Sequence, residues 1–192
     1  MTQTKEPFHS GFVTIVGRPN VGKSTLMNAL VGEKVAIVSN RPQTTRNRIM
    51  GVVTHAQWQI VFLDTPGIHH PRTRLGEYMM QSVRDAMDGM DGMLVLLDAT
   101  QVGEQDKQIV AEMAGKKVPK ILAINKIDLL PKEKLLGLIA LFAESGYDAI
   151  IPISAKTGDG LEELTTALVS KLPEGPKYFP DDMMTGSRAL PS

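Results

Sequence analysis

The sequence predicts an α/β domain in which a six-stranded, mostly parallel sheet carries one antiparallel edge strand and is flanked by about five helices. Short apolar runs alternate with helical stretches along most of the chain, which is typical of parallel strands joined by crossover helices. Residues 48–55 and 57–63 are two strand-like runs with almost nothing between them, so they are expected to pair as an antiparallel hairpin.

The individual elements follow from the apolar periodicity. The expected strands cover residues 12–16, 48–55, 57–63, 92–98, 118–124 and 149–153. The expected helices cover residues 23–31, 75–87, 103–114, 131–144 and 160–171, with Pro131 at a first helical position. On the last helix a stripe of leucines predicts a core-facing side, namely Leu161, Leu164, Leu168 and Leu172. Residues 33–47 and 67–74 are expected to be loops.

Composition sets limits on the class of protein. The 192 residues suffice for one domain with a substantial core, and residues 8–172 are expected to form it. Residues 173–192 are rich in proline and small polar residues, which predicts a linker or tail. With 21 acidic and 21 basic residues, the net charge favours neither a nucleic-acid coat nor an acidic partner, and no DNA partner is expected.

The chain contains no cysteine, which excludes disulfides and thiolate metal sites. No apolar run approaches the roughly 20 residues of a membrane span, and the N-terminus lacks the apolar core of a secretion signal. A cytoplasmic protein is therefore expected.

The run from Gly17 to Ser24 has the form Gly-x-x-x-x-Gly-Lys-Ser and lies between an expected strand and an expected helix, as a P-loop does. Its glycines let backbone N–H groups face phosphates, and the helix N-terminus adds a positive end. Lys23 is expected to bridge the β- and γ-phosphates, and the Ser24 hydroxyl to bind Mg²⁺. The predicted contacts of this loop are Gly17, Asn20, Val21, Gly22, Lys23, Ser24 and Thr25. The P-loop alone does not separate ATP from GTP.

The run Asn125-Lys126-Ile-Asp128 makes that separation. Guanine presents two adjacent donors, which one carboxylate accepts together, whereas adenine presents an acceptor at the same place. Asp128 is therefore the expected specificity residue, with Asn125 bracing the base site and the Lys126 stem lying along the base. The run Ser154-Ala155-Lys156 is expected to add a backbone N–H, from Ala155, to the guanine carbonyl.

The run Asp64-Thr-Pro-Gly67 places a carboxylate at the end of an expected strand. Asp64 is expected to hold Mg²⁺ through water, and Gly67 to offer its N–H to the γ-phosphate. A threonine from the preceding loop would complete the magnesium shell. Both Thr44 and Thr45 qualify, and Thr45 is preferred.

These four runs and the Thr44-Thr45 pair make five motifs, and all five match the P-loop GTPases of the Ras-like, translation-factor class. Within that class, the chain resembles the GTPase domain of the Era family, in the Era/TrmE/Der-like group. The resemblance rests on the P-loop with its following Thr-Leu-x-Asn, on Gln43-Thr-Thr-Arg46, on Asp-Thr-Pro-Gly-Ile-His69 and on residues 172–182. It covers about residues 10–185.

The resemblance implies a slowly hydrolysing GTP switch in which loops 33–48 and 64–75 change conformation. It also implies a role in 16S rRNA binding and 30S subunit assembly when the domain is joined to an RNA-binding KH domain, with inner-membrane association as a further possibility. The KH domain itself is expected to be missing from this chain. The alternatives are a Der-like or tRNA-modification GTPase, and a GTP-sensing module with little hydrolysis.

One position departs from the Ras-like pattern. Ile68 stands where Ras-like GTPases carry the glutamine that orients the attacking water. Catalysis is therefore expected to depend on Lys23, Thr45, Gly67 and Asn20. The resemblance implies that Asn20 helps to hold a potassium ion near the phosphates.

Overall fold

The computed structural model describes residues 7–31, 48–64 and 89–179. Their elements, in chain order, are β1 (His9–Val16), α1 (Lys23–Val31), β2 (Arg48–Thr54), β3 (Trp58–Asp64), β4 (Gly92–Asp98), α2 (Glu104–Ala114), β5 (Lys120–Asn125), α3 (Lys132–Phe142), β6 (Ala149–Pro152) and α4 (Leu161–Val169). The expected helix at 75–87 and the expected loops at 33–47 and 67–74 lie outside the described residues.

The six strands form one sheet in the order β2-β3-β1-β4-β5-β6. Strand β2 pairs antiparallel with β3, and every other neighbouring pair is parallel. This confirms the predicted fold class, including the antiparallel edge strand. Because the chain turns to one side of β1 for β3 and to the other side for β4, a crevice is expected at the carboxyl end of β1.

The core lies on both faces of the sheet. On one face α1 and α4 contribute buried leucines, Leu26, Leu164 and Leu168, and Leu172 is buried just after α4. On the other face the buried Met113 of α2 and Phe142 of α3 pack against β4 and β5. The predicted leucine stripe is thus confirmed as core, with Leu161 partly buried beside it.

Several boundaries differ from the sequence prediction. Strand β1 begins three residues earlier, at His9, because its parallel ladder with β3 starts at the His9–Trp58 pair. Pro131 is the extended N-cap of α3 and not its first helical residue, with φ −63° and ψ 147°.

Strand β5 begins at Lys120, directly after Pro119, which has no N–H to contribute to a ladder. Helix α4 ends at Val169, two residues short of the expected Lys171.

Residues 173–179, here called the terminal segment, lie against the amino-terminal ends of β1 and β3. The Ser10 N–H donates to the Pro173 carbonyl at 3.2 Å, and the Gly175 N–H donates to the Phe8 carbonyl at 3.0 Å. Tyr178 packs its ring on Phe12, with ring centroids 4.9 Å apart.

The end of the terminal segment is held by Gln59, a fully buried residue of β3. Its Nε2 donates to the Phe179 carbonyl at 2.8 Å, and its Oε1 accepts from the Phe179 N–H at 3.0 Å. The first seven residues of the expected tail are therefore attached to the sheet. The domain boundary between residues 172 and 173 stays a prediction. Within the described ranges, no helix is both long and apolar enough to cross a membrane.

Candidate functional site

The candidate site lies at the carboxyl edge of the sheet, where the loops after β1, β3, β4, β5 and β6 meet. In a parallel sheet these strand ends share one edge, so motifs far apart in sequence come together there. The structure brings together the P-loop, Asp64, Asn125 to Asp128 and Ser154 to Lys156. Thr44, Thr45, Gly67 and Ile68 lie outside the described residues.

The P-loop follows β1 directly and passes close to its neighbours. A Cβ atom at Gly17 would lie 2.8 Å from the Leu96 carbonyl oxygen. Gly22 has φ +104°, which side chains rarely adopt, and a Cβ there would collide with Asn125 Nδ2. Helix α1 starts at once, with the Leu26 N–H donating to the Gly22 carbonyl at 2.8 Å. The glycines are thus required by the close approach of the loop to β4 and β5.

Lys23 lies beside Asp64, the last residue of β3. The Lys23 Nζ is 3.3 Å from Asp64 Oδ1, and both side chains are largely buried. Ser24 and Thr25 are exposed at the start of α1. A hydroxyl and a carboxylate are the hard oxygen ligands that Mg²⁺ prefers, so Ser24 and Asp64 fit that ion. Among the described residues no group of three or more His, Cys, Asp or Glu is positioned to hold a metal.

Asn125 joins three motifs through its buried side chain. Its Nδ2 donates to the Val21 carbonyl of the P-loop at 3.0 Å, and its Oδ1 accepts the Ala155 N–H at 3.0 Å. A buried amide with both ends bonded holds its neighbours firmly. In the structure the Ala155 N–H is donated to Asn125 Oδ1. Its donation to a guanine carbonyl stays a prediction.

Asp128 is exposed and its carboxylate is held in place by a neighbouring hydroxyl. Ser154 Oγ donates to Asp128 Oδ1 at 2.8 Å and itself accepts the Thr157 N–H at 3.1 Å. The carboxylate borders a cavity of about 250 Å³. That cavity is lined by Gly22, Thr25, Asn125, Lys126, Asp128, Leu129, Ser154, Ala155 and Lys156.

Asp98, the last residue of β4, is a member of the site that the sequence analysis missed. Its Oδ1 accepts from the Thr100 N–H at 2.8 Å and from Thr100 Oγ1 at 2.6 Å. Its Oδ2 lies 3.0 Å from Lys126 Nζ. Burial raises the pKa of this carboxyl, but the hydrogen bonds from Thr100 and Lys126 outweigh burial and hold the pKa below its usual range.

Arg18, the second residue of the P-loop, is a further member that the motifs did not indicate. Its Nη1 lies 3.1 Å from Oδ2 of Asp106, which is buried at the start of α2. The same oxygen accepts the Gly103 N–H at 2.8 Å, as a carboxylate near a helix N-terminus commonly does. Arg18 therefore ties the P-loop to α2. In the sequence, the only indication of this role was a charged residue, Arg18, within the P-loop.

Comparison with known proteins decides the family. The profile of the family described as 50S ribosome-binding GTPase matches residues 12–126. The chain belongs to this family of GTPases. The match spans β1 to the end of β5, and so includes the P-loop, Asp64 and Asn125.

Individual relatives of this chain are similar over most of its length. The chain is 52% identical over 180 residues to a GTPase Era of Alkaliphilus metalliredigens and 50% identical over 181 residues to a GTPase Era of Geobacter metallireducens. Each alignment covers 93% of this chain and 61% of the relative. The chain thus spans about three fifths of the length of the curated relatives it matches, and the resemblance to Era GTPases is confirmed.

Two solved structures agree with this fold. One is Era in complex with MgGDPNP and nucleotides 1506–1542 of 16S ribosomal RNA, with a TM-score of 0.76. The other is a single-residue variant of Aquifex aeolicus Era bound to GDP.AlF4⁻, with a TM-score of 0.75. Each is 40% identical to this chain and is matched over 92% of this chain and 61% of its own.

Proposed function

We propose that this chain binds a guanine nucleotide with Mg²⁺ at the carboxyl edge of its sheet and hydrolyses GTP there as a molecular switch. The observation that carries the proposal is the position of the Asp128 carboxylate. Ser154 holds it at the border of a cavity that is also lined by Gly22 of the P-loop and Thr25 at the start of α1. A base in that cavity would have its phosphates beside the P-loop.

The base specificity follows from the hydrogen-bonding pattern of Asp128. Its carboxylate accepts two parallel hydrogen bonds, which suits the N1–H and amino group of guanine and repels the N1 acceptor of adenine. Asn125 supports this site from below by joining the P-loop to Ala155. The Lys126 stem and Leu129 supply apolar wall.

The phosphates would be held by the P-loop residues between Gly17 and Thr25. Backbone N–H groups and the amino end of α1 attract the anion, and Lys23 neutralises charge on the β- and γ-phosphates. Ser24 and Asp64 would hold Mg²⁺, Asp64 through water, and the ion would supply positive charge to the phosphates. In the structure the Asp64 carboxylate accepts a hydrogen bond from the Lys23 ammonium, so the two groups lie side by side.

The test of the proposed base site is Asp128→Asn. We expect this variant to lose about 100-fold or more in GDP affinity and to gain affinity for xanthosine diphosphate, because an amide donates where the carboxylate accepted. Titration of a fluorescent derivative of each nucleotide measures both affinities.

Asp159→Asn is the matched control, since Asp159 lies on the same loop as Ser154 with its side chain exposed. We expect its two affinities to equal those of the unsubstituted chain. Unchanged GDP affinity in Asp128→Asn would remove the base-site assignment.

We further propose that hydrolysis is stimulated by potassium bound near Asn20. Asn20 is exposed in the P-loop and has the left-handed backbone conformation, φ 70°. A cation beside the transferring phosphate stabilises developing charge, as an arginine finger does at about 10³–10⁵-fold. For the same reaction, Gly67 is proposed to contribute its backbone N–H and Thr45 its hydroxyl.

Single-turnover hydrolysis of GTP in potassium and in sodium chloride tests this proposal. We expect at least about 10-fold faster turnover in potassium, and we expect Asn20→Ala to abolish that difference while Asn28→Ala, an exposed asparagine of α1, preserves it. Equal rates in both salts would exclude potassium stimulation. No turnover in either salt would favour a GTP-sensing module.

The cellular role is proposed from the similar proteins. Era in the solved complex binds nucleotides of 16S ribosomal RNA together with MgGDPNP. We infer that this chain, when joined to a KH domain, acts as a nucleotide-controlled factor in 30S subunit assembly in the cytoplasm, and that it associates peripherally with the inner membrane. Binding of nucleotides 1506–1542 of 16S ribosomal RNA by this chain joined to a KH domain, measured with GDP and with a GTP analogue, would test this role.

A further inference from the structure

We propose that Asp98 is a positioning residue that holds Lys126 and, through Lys126, fixes the P-loop at Asn20 for nucleotide binding. This inference rests on the proposed function, and it assigns a role to a residue outside the five motifs. Asp98 is not among the residues that line the cavity, so its effect on a nucleotide would pass through Lys126.

The Asp98 carboxylate is itself held in one orientation. It is buried at the end of β4, and Thr100 occupies one of its oxygens with two short hydrogen bonds from the backbone N–H and the hydroxyl. The rotation of the carboxylate is therefore set, and its second oxygen is directed to Lys126. A lysine ammonium beside such an oriented carboxylate has one preferred position.

The Lys126 ammonium contacts two parts of the site at once. Its ammonium lies 3.0 Å from Asp98 Oδ2 and donates to the Asn20 carbonyl at 3.2 Å. It thus connects the end of β4 to the P-loop, while its own backbone belongs to the loop of residues 125–128. Removing the charge of Asp98 would leave this ammonium held by a single carbonyl.

Both residues joined by this contact, Lys126 and Asn20, have an unusual backbone conformation. Within the described parts of the chain, Asn20 and Lys126 are the two non-glycine residues with positive φ, at 70° and 72°. Such residues persist where the surroundings over-determine them. The Asp98–Lys126–Asn20 chain is a direct restraint between them, so it keeps both loops in one arrangement before a nucleotide arrives.

The experiment is a double-mutant cycle on GDP affinity. Asp98→Asn keeps the shape and the acceptor for Thr100 but removes the charge, and Lys126→Met keeps the apolar stem but removes the ammonium. Because hydrogen bonds to charged groups are the stronger ones, we expect Asp98→Asn to weaken GDP binding about 10- to 100-fold. Since Asp98 acts through Lys126, the double variant should bind no more weakly than Lys126→Met alone. Effects that multiply in the double variant would overturn the inference.

Asp148→Asn is the matched control. Asp148 also accepts a backbone N–H and faces a lysine, Lys171, but at the amino edge of the sheet. We expect unchanged GDP affinity in this variant. Should Asp98→Asn fail to fold in urea titrations, Thr100→Val removes one of the two bonds that orient Asp98, and we expect about 3-fold weaker binding. Affinity equal to that of the unsubstituted chain would overturn the inference there too.

The outcome also separates this inference from the proposed function. An unsubstituted chain that fails to bind GDP would contradict the proposed function itself. An unsubstituted chain that binds GDP, together with an Asp98→Asn variant of equal affinity, would contradict the role of Asp98 alone.

Discussion

Gly22 shows how one residue can be required for two reasons at the same position. Its backbone has φ +104°, and a Cβ atom there would collide with the Asn125 amide. The first reason costs an alanine about 1–2 kcal/mol, and the second forces the P-loop away from Asn125. We therefore expect Gly22→Ala to lower the free energy of unfolding by more than about 2 kcal/mol and to abolish GDP binding.

The comparison that isolates the second reason is Gly146→Ala. Gly146 has a similar φ of +91°, but a Cβ there meets nothing within 4 Å. We expect this variant to lose only about 1–2 kcal/mol in urea unfolding and to bind GDP normally. Equal losses in the two variants would show that the contact with Asn125 contributes little.

At the level of single residues, the sequence motifs indicate their own members but not the residues that support those members. Asn125 was predicted to brace the base site, and the structure shows it bonding to Val21 and Ala155. Asp98 was not predicted because Lys126 is recognised as its partner only when β4 and β5 are known to be neighbours. A carboxylate at the end of a buried strand was nevertheless a readable signal.

Among the elements, β3 connects the two edges of the sheet. Asp64 at its carboxyl end faces Lys23, and Gln59 near its amino end holds Phe179. The Gln59 amide bonds the Phe179 N–H and carbonyl as a neighbouring peptide group would. Strand β3 is therefore in contact with both the P-loop and the terminal segment.

We expect Gln59→Ala to lower the free energy of unfolding by about 1–3 kcal/mol, since it removes the partners of buried polar groups. Hydrogen exchange should speed up at the Phe179 amide, which loses its acceptor, and remain slow at Gly175, which is bonded to Phe8. Gln105→Ala, on the exposed side of α2, is the control and should change neither measurement. An unaltered Phe179 exchange rate would mean that Gln59 does not hold the terminal segment.

For the whole molecule, the sequence predicted those features that depend on local pattern. The hairpin of β2 and β3 and all six strands were found, because alternation and short connections are visible within about ten residues. The docking of the terminal segment was not, because Gln59 and Phe179 are 120 residues apart. Proline and glycine in residues 173–176 indicated a linker, and the contacts of residues 173–179 with β1 and β3 are seen only in the tertiary structure.

The contact between Gly175 and Phe8 places the two ends of the described domain side by side. A chain that enters and leaves a fold at one point can be inserted into a host protein as a cassette, or closed into a ring and reopened elsewhere. Both ends lie at the amino edge of the sheet, opposite the candidate nucleotide site. Whatever is joined to either end would therefore attach at the amino edge of the sheet and leave that site uncovered.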